Sequence, residues 1–256
     1  MEQILIKGTG IKKSFRQGGR ENDVLEDVSV SIYEGDFTIV MGSSGAGKST
    51  LLYVLSGMDH LTEGSVRYRE QEITKLSERG MARLRAEDFG FVFQQAHLVS
   101  NLTLEENILT PGFLAAKAKG RTESQVRVRT RELLAQMGIE GAKDRLPGEA
   151  SGGEQQRAAV ARAVINSPSM LFADEPTGAL NRKTSEEVLR LFTDLNEGGQ
   201  SILMVTHDVR AAIRGNRILY LEDGKVLDEL RLAPYEVERA KERKETVNRW
   251  LEKLRW

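Results

Sequence analysis

The chain contains 256 residues, and its 37 lysines and arginines nearly balance 38 aspartates and glutamates, which gives a formal charge of −1. This balance argues against a dedicated nucleic-acid binder, because such proteins usually carry a basic excess. The absence of cysteine excludes a disulfide framework, thiol catalysis and cysteine-based metal sites. No apolar run is long enough to span a bilayer and the first residues lack a secretory signal, so we expect a soluble intracellular chain.

Short apolar runs typical of β-strands alternate along the chain with helical patterns. The predicted strands are Gln3–Gly8, Val28–Tyr33, Phe37–Met41, Phe89–Phe93, Met170–Ala173, Ile202–Thr206 and Arg217–Leu221. One helix is predicted over Lys48–Ser56, and another begins at Thr184, where Thr184 and Glu187 form a capping-box pattern. The alternation predicts an α/β fold with a mainly parallel sheet.

A charged, helix-rich stretch interrupts this alternation from about Leu102 to Ile165 and contains no convincing strand. We interpret residues 95–166 as a helical subdomain inserted into an α/β domain that spans residues 1–230. Residues 231–256 are interpreted as a C-terminal helical extension.

The C-terminal extension has an apolar helical face, which comprises Val247, Trp250, Leu251 and Leu254. The expectation is that this face packs against the protein's own core. The alternatives are a docking helix for a partner and a helix that rests on a membrane surface.

A glycine-rich segment, GSSGAGKST, matches the phosphate-loop pattern G-x-x-x-x-G-K-[ST] between an apolar strand and a helix. Glycines let the backbone approach phosphates, and the amides of the loop and of the helix N-terminus point at the anion. Lys48 adds charge for the β- and γ-phosphates, and Ser49 offers a hydroxyl to Mg²⁺. The pattern therefore predicts a nucleoside triphosphate site formed by Gly42, Ser43, Ser44, Gly45, Ala46, Gly47, Lys48, Ser49 and Thr50.

Polar side chains follow three further predicted strands. Asp174 and Glu175 end the strand MLFA, where the first carboxylate is an expected Mg²⁺ partner and the second can polarise an attacking water. His207 follows SILMVT, at the carboxyl end of a strand, where ligands bind in open α/β sheets. Gln94 follows GFVF, and its amide oxygen can face Mg²⁺ or the water.

A second glycine turn, Ser151-Gly152-Gly153, precedes the strong helix former EQQRAAVARAVIN. Another helix N-terminus preceded by glycines is a second potential phosphate site. Two such sites with one phosphate loop predict that two chains share nucleotides across an interface.

The ordered motifs GSSGAGKST, FVFQQ, ASGGEQQR, MLFADEP, GALN and VTHD resemble the nucleotide-binding subunit of an ABC transporter. The match runs from about Ile4 to Leu230. The resemblance implies an α/β fold in which a P-loop NTPase (RecA-like) core carries an N-terminal antiparallel β-subdomain and an inserted helical subdomain. It further implies an ATPase that works with ATP and Mg²⁺ at the cytoplasmic face of the cell membrane.

Residue roles follow from the same resemblance. Ser151, Gly152 and Gly153 would cap the γ-phosphate held by the partner copy of a homodimer. Ser49, Gln94 and Asp174 would hold Mg²⁺, while Glu175, His207, Lys48 and Gln94 would be catalytic. Phe15 would stack on adenine, with a core role as the alternative. His97, Leu98 and Val99 fall where the family touches its membrane partner.

Two positions depart from the family pattern. Ala150 stands where the signature usually opens with Leu, and Asn181 stands where an Asp is usual. Both positions bear on communication across the dimer, so we expect weaker coupling or slower hydrolysis.

Three functions remain open on the sequence. The first is an ATPase subunit that powers a separate permease, which resembles the group for lipoprotein release, macrolide export and antimicrobial-peptide resistance. The second is an ATP-gated regulatory clamp on a membrane partner that moves no substrate. The third, a soluble ATPase on DNA or ribosomes, is disfavoured by the near-zero charge.

Overall fold

Ten strands form in the computed structural model, which describes residues 3–17 and 20–256. In chain order they are β1 (Ile4–Gln17), β2 (Arg20–Tyr33), β3 (Phe37–Met41), β4 (Glu63–Tyr68), β5 (Gln71–Glu72), β6 (Phe89–Phe93), β7 (Met170–Asp174), β8 (Ser201–Val205), β9 (Arg217–Glu222) and β10 (Lys225–Arg231). Every predicted strand is present, and β1 and β2 extend well beyond their predicted lengths. Their pairing contains several register shifts, which interrupt the period-two pattern on which a strand prediction depends.

Eight α-helices form within the same described residues. They are α1 (Lys48–Leu55), α2 (Glu78–Asp88), α3 (Leu104–Ala116), α4 (Glu123–Gln136), α5 (Gly152–Val164), α6 (Arg182–Glu197), α7 (Val209–Ala212) and α8 (Ala240–Lys253). Among residues 3–17 and 20–256, none of these helices has the length and hydropathy needed to cross a bilayer.

The chain divides into two compact units, Met1–Met81 with Ser201–Trp256, and Ala82–Gln200. In the first unit, an antiparallel sheet has the strand order β2-β1-β4-β5. A second group of strands has β3 at its centre, parallel to both β8 and β9. All five residues of β3 are buried, as expected for a strand covered on both faces. The predicted α/β class with an antiparallel β-subdomain is confirmed.

The β9–β10 hairpin was not predicted beyond its first strand. Its two-residue turn is Asp223-Gly224, with φ of +44° and +70°, and Glu222 pairs with Lys225 across it. An Asp-Gly pair is a strong hairpin signal, so the sequence contained the evidence for this turn. The sequence did not predict β10, because its charged residues are typical of an edge strand and do not alternate regularly with apolar ones.

The second unit contains β6 and β7, which are parallel and packed through aromatic rings. The ring of Phe172 lies 5.2 Å from that of Phe89 and 5.4 Å from that of Phe91. Between Leu102 and Ile165 the structure forms α3, α4, α5 and short 3-10 turns. The division into the predicted domain ranges stays a prediction.

Helix α6 begins two residues earlier than predicted. Asn181 is its N-cap, and the Asn181 side chain accepts a hydrogen bond of 3.1 Å from the Thr184 N–H. The predicted capping box at Thr184 and Glu187 is therefore wrong, and Thr184 lies at the third helical position. Asn is a stronger N-cap than Thr, which explains the choice between these two neighbouring candidates.

The C-terminal helix α8 packs against its own unit. Three of the four residues of the predicted apolar face, Val247, Trp250 and Leu251, are buried, and Leu254 is half-buried. Arg243 is also buried, and its guanidinium donates to the carbonyls of Ile213 and Gly215 at 2.5 Å. Since buried carbonyls need hydrogen-bond partners, this arginine joins α8 to the segment that precedes β9.

An ion-pair cluster stabilises the edge of the first unit. Glu229 on β10 accepts hydrogen bonds of 2.8 Å from the guanidinium groups of both Arg217 and Arg231. The Arg217 and Arg231 side chains also lie over the Tyr33 ring, at 5.1 and 5.4 Å. Chiefly because of the Arg217 hydrogen bond, the pKa of Glu229 is lowered from 4.5 to about 2.

We expect this cluster to make stability depend on pH in the acid range. A lowered carboxyl pKa stabilises the fold above pH 4.5, and that stabilisation disappears as the pH falls toward 2. After allowance for solvent screening, the contribution of Glu229 at neutral pH is about 1–2 kcal/mol. Urea unfolding of Glu229→Gln between pH 7 and pH 2.5 should give a flatter stability curve than the wild type. Glu63→Gln, which breaks an exposed ion pair with Lys12, is the control and should leave the curve unchanged. Parallel curves for Glu229→Gln and wild type would contradict the assignment.

Candidate functional site

The glycine-rich loop connects β3 to α1, and two of its glycines are required by close backbone approach. A Cβ atom on Gly42 would lie 1.9 Å from the Leu221 carbonyl oxygen. Gly47 has a φ of +98°, and a Cβ there would lie 2.7 Å from the Val24 carbonyl oxygen. Other residues would clash at both positions, so the loop can hold this path only with glycine.

Lys48 is the first residue of α1 and directly follows the glycine-rich loop. Its side chain is buried, and its ammonium group donates to the carbonyls of Gly42 and Ser43 at 2.9 and 2.7 Å. Ser44 and Gly45 are exposed on the same loop. A polyphosphate would find three favourable features here. They are the N–H groups at the helix N-terminus, the glycine backbone without side chains, and the lysine ammonium group.

His207 lies at the same sheet edge as the glycine-rich loop. Strands β3 and β8 are parallel with Val40 opposite Val205, so Gly42 and His207 each lie two residues beyond this pair. Thr206 donates its N–H to the Val40 carbonyl at 3.1 Å, while the His207 side chain is exposed. The geometry of the first unit therefore agrees with a role for His207 beside the loop.

Phe15 lies on β1 with 43% of its surface exposed. The Lys13 ammonium group is 4.6 Å from the centre of the Phe15 ring. The alternative of a core role is therefore wrong, and adenine stacking stays a prediction.

In the second unit, Gln94 and the acidic pair lie at the ends of neighbouring strands. Asp174 pairs with Phe93 across β6 and β7, so Gln94 and Glu175 leave the sheet side by side. A Cβ on Gly178 would lie 2.8 Å from the Gln94 amide nitrogen, which shows how closely Gln94 approaches the turn after Glu175.

Glu175 has a strained backbone. Its φ is +46°, a left-handed conformation that costs a non-glycine residue roughly 1–2 kcal/mol. The Glu175 carbonyl accepts a hydrogen bond of 2.9 Å from the Gly178 N–H, which closes the turn. Such strain is concentrated at functional sites, and it was not visible in the sequence.

The second glycine turn caps α5. The Ser151 side chain accepts from the Glu154 N–H, and the Glu154 carboxylate accepts from the Ser151 N–H at 2.8 Å. This backbone hydrogen bond is the main reason that the pKa of Glu154 is lowered. Gly153 is needed for packing, because a Cβ there would lie 2.4 Å from the Thr184 methyl group. Ser151 and Gly152 are exposed at the N-terminus of this 13-residue helix.

Two polar residues of α5 that the sequence analysis missed bind the last residue of β6 and the segment that follows it. The buried Gln156 amide donates to the Phe93 carbonyl at 2.8 Å. The Arg162 guanidinium donates to the carbonyls of Ala96 and His97, at 2.8 and 2.7 Å. These bonds tie the segment around Gln94 to the helix that Ser151 caps. A polar residue on a helix has no sequence pattern that reveals such a contact.

The residues expected to bind Mg²⁺ can be judged by the atoms that they offer. Within residues 3–17 and 20–256 there is no cluster of three or more His, Asp or Glu side chains suited to a metal. The Asp174 carboxylate and the Gln94 amide oxygen in the second unit, and the Ser49 hydroxyl in the first unit, are oxygen donors of the kind that Mg²⁺ prefers. The chemistry of each residue therefore suits the Mg²⁺ role expected of it.

Comparison with known proteins agrees with this chemistry. Residues 25–178 match the family model described as ABC transporter. The lipoprotein-releasing system ATP-binding protein LolD of Syntrophotalea carbinolica is 42% identical over 87% of this chain and 96% of its own length. The chain belongs to the ABC transporter ATPase family.

Other relatives of this ABC ATPase are larger proteins. The macrolide export ATP-binding/permease protein MacB of Bradyrhizobium diazoefficiens is 40% identical over 90% of this chain. The chain spans about a third of the length of such export ATP-binding/permease relatives, 35% for this one. Among solved structures, the dimeric post-hydrolysis state of the ATP-binding cassette MJ0796 bound to ADP and Pi has a TM-score of 0.83. It is 36% identical and covers 90% of this chain and 100% of its own. The predicted family, ATPase class and cassette fold are confirmed.

Proposed function

We propose that this ABC ATPase binds and hydrolyses ATP as a pair of identical copies and thereby powers a membrane permease. The observation that carries the proposal is the buried Lys48 at the start of α1, beside a loop that requires glycine at positions 42 and 47. Phosphoryl transfer requires a lysine ammonium group and backbone N–H groups that together hold the phosphates in place.

Nucleotide binding is assigned to the loop and to Phe15. The amides from Gly45 to Thr50 surround the phosphates, Lys48 neutralises charge on the β- and γ-phosphates, and Phe15 stacks on adenine. The exposure of Phe15 supports this role, because a stacking ring must be open to solvent in the absence of the base.

Mg²⁺ is assigned to the Ser49 hydroxyl and the Asp174 carboxylate, with Gln94 as a further oxygen donor. When bound, the ion supplies positive charge that offsets the charge of the phosphate oxygens. Asp174 ends β7, and its position opposite Phe93 supports a shared role with Gln94.

Hydrolysis is assigned to Glu175 and His207. The Glu175 carboxylate accepts a proton from the attacking water, which becomes a better nucleophile toward the γ-phosphate. His207 holds the γ-phosphate and the water in line, and the exposed position of His207 at the carboxyl end of β8 supports this assignment.

Two copies are needed to complete each site. We assign Ser151, Gly152 and Gly153 to the γ-phosphate held by the partner copy. Support comes from the exposed N-terminus of α5 and from the dimeric state of the MJ0796 cassette. The slower hydrolysis expected from Ala150 and Asn181 stays a prediction. Asn and Asp cap a helix equally well, so the capping of α6 by Asn181 does not explain why Asn stands here in place of Asp.

The permease is assigned to the surface that includes His97, Leu98 and Val99. Val99 lines a groove of about 320 Å³ with Leu102 and Leu114, and Val99 and Leu114 are 50% and 79% exposed. An exposed apolar groove suits a helix of a membrane protein. This docking would place the ATPase at the cytoplasmic face of the membrane. Export of peptides, lipids or antibiotics, or resistance to them, is the proposed task of the complex, in line with the names LolD and MacB.

An affinity pull-down from source-cell membranes tests the proposed function. Glu175→Gln protein with ATP should retain a multi-span permease, and additional Val99→Asp should abolish that capture. Val128→Asp is the matched control, because Val128 is also 50% exposed but lies on α4 away from the groove. Capture of a DNA or ribosome complex in place of a permease would contradict the proposal. A permease that still binds after Val99→Asp would contradict the assignment of the groove as its docking surface. A bound membrane protein that supports no substrate movement in reconstituted vesicles would favour the regulatory clamp.

A further inference from the structure

A carboxylate lies against the phosphate loop and has no part in the roles assigned above. Glu222 ends β9, and its carboxylate accepts from the Ser43 hydroxyl at 2.7 Å and from the Ser43 N–H at 3.3 Å. These bonds join residues 179 positions apart, across the junction where β9 runs beside β3. Ser43 is therefore held at both its side chain and its backbone by one carboxylate.

Glu222 is itself held by Tyr220. The Tyr220 hydroxyl donates to the second Glu222 oxygen at 3.1 Å, from two residues earlier on the same face of β9. Tyr220 is buried and pairs with Met41, the last residue before the loop. The carboxylate thus has three donors around it, and they restrict its orientation.

The C-terminal helix fixes Tyr220 in turn. The Trp250 ring on α8 meets the Tyr220 ring edge to face, with centres 6.2 Å apart and an angle of 86°. The Trp250 indole N–H donates to the Asp228 carboxylate at 2.8 Å, which fixes the tryptophan ring as well. Contacts therefore run without a gap from α8 through Trp250, Tyr220 and Glu222 to Ser43.

The sign of the charge argues that Glu222 does not bind the nucleotide. The Ser43 hydroxyl bond is the main cause of a lowered Glu222 pKa, so the group is an anion at neutral pH. A negatively charged Glu222 would repel the phosphates of a nucleotide, which weakens binding. Its place beside the loop therefore calls for an effect that favours binding. A rigid loop offers one, because a loop already ordered in its binding shape loses less entropy when the nucleotide binds.

We propose that Glu222 is a positioning residue that holds the phosphate loop in its binding shape, and that α8 sets its position through Trp250 and Tyr220. The inference rests on the proposed function of the loop in ATP binding. It gives the C-terminal helix a role in nucleotide affinity in addition to its role in packing.

A double-mutant cycle in the whole 256-residue chain tests the proposal. The dissociation constant of a fluorescent ATP analogue, and KM and kcat for MgATP, are measured for Glu222→Ala, Ser43→Ala and the double variant. Each single change should weaken binding about 3- to 10-fold and raise KM in parallel, with kcat within about 2-fold of wild type. The double variant should bind no more weakly than the weaker single variant, because both changes break the same contact.

A second cycle tests the contacts that link α8 to Glu222 through Trp250 and Tyr220. It remains informative even if the Glu222→Ala variant fails to fold. Tyr220→Phe removes one hydroxyl, and Trp250→Leu removes the ring contact; each should weaken binding about 2- to 3-fold. In the Tyr220→Phe background, Trp250→Leu should have no further effect on binding. Glu26→Ala, which removes an exposed carboxylate paired with Lys225, is the control and should leave binding unchanged.

Additive losses in both cycles, or unchanged ATP binding in the single variants, would overturn the proposal. A wild-type protein that fails to bind ATP would instead overturn the proposed function, so the two failures are distinguishable. Thermal unfolding of every variant separates a fall in affinity from a general loss of structure. A variant that binds weakly because it is unfolded would also lose kcat, whereas loss of positioning moves KM alone.

Discussion

Replacing Glu175 by Gln is expected to lower the rate of ATP hydrolysis by about 100- to 10,000-fold, because an amide cannot accept the proton of the attacking water. ATP binding should remain, since the size of the side chain is unchanged. The left-handed φ of +46° at Glu175 places a strained residue at the end of β7, and Gln can adopt that strain equally well. Steady-state phosphate release and equilibrium ATP binding, measured on the same protein, check both parts.

The Glu175→Gln protein should also accumulate as a dimer with ATP, because the step that reopens the pair is blocked. Light scattering with and without ATP measures this change in mass. Glu197→Gln is the matched control, since it makes the same chemical change at the exposed end of α6 and should hydrolyse ATP normally. Normal turnover in Glu175→Gln would remove Glu175 as the base.

Replacing Lys48 by Ala is expected to weaken ATP binding about 10- to 100-fold, and hydrolysis should fall with it. A charge-assisted hydrogen bond contributes about 1.5–3 kcal/mol, which corresponds to this range of affinity. The two hydrogen bonds from the Lys48 ammonium to the loop carbonyls are lost at the same time, so the loop should also become less ordered. Isothermal titration with MgATP measures the change.

The matched control for Lys48→Ala is Lys225→Ala, which removes an exposed lysine in an ion pair with Glu26. Both variants lose one positive charge from the same unit, so a general effect of net charge would appear in both. Wild-type affinity in Lys48→Ala, or equal losses in the two variants, would show that Lys48 does not hold the phosphates.

Short-range patterns predicted much of this site. The glycine-rich loop is recognisable in sequence because the spacing of its glycines, lysine and serine matches a known pattern. The contacts that require glycine at positions 42 and 47 come from Leu221 and Val24, which are distant in the chain, so only the folded structure shows them. The positions of Glu175 and His207 followed from a rule about strand ends, which needs only the strand boundaries. The start of α6 was misplaced because Asn181 and Thr184 are both acceptable caps, and the choice depends on a difference in cap strength that a pattern does not show.

By itself, the sequence determined the family, the α/β class, the glycine-rich loop and the residues that follow the strand ends. All of these are set by residues close together in the chain, where spacing and side-chain chemistry suffice. The tertiary structure alone decided that Glu222 holds Ser43, that Phe15 is exposed, and that Gln156 and Arg162 fix the segment around Gln94. Such contacts join distant positions whose separate residues carry no pattern, because the geometry that pairs them exists only after the sheet and helices have packed.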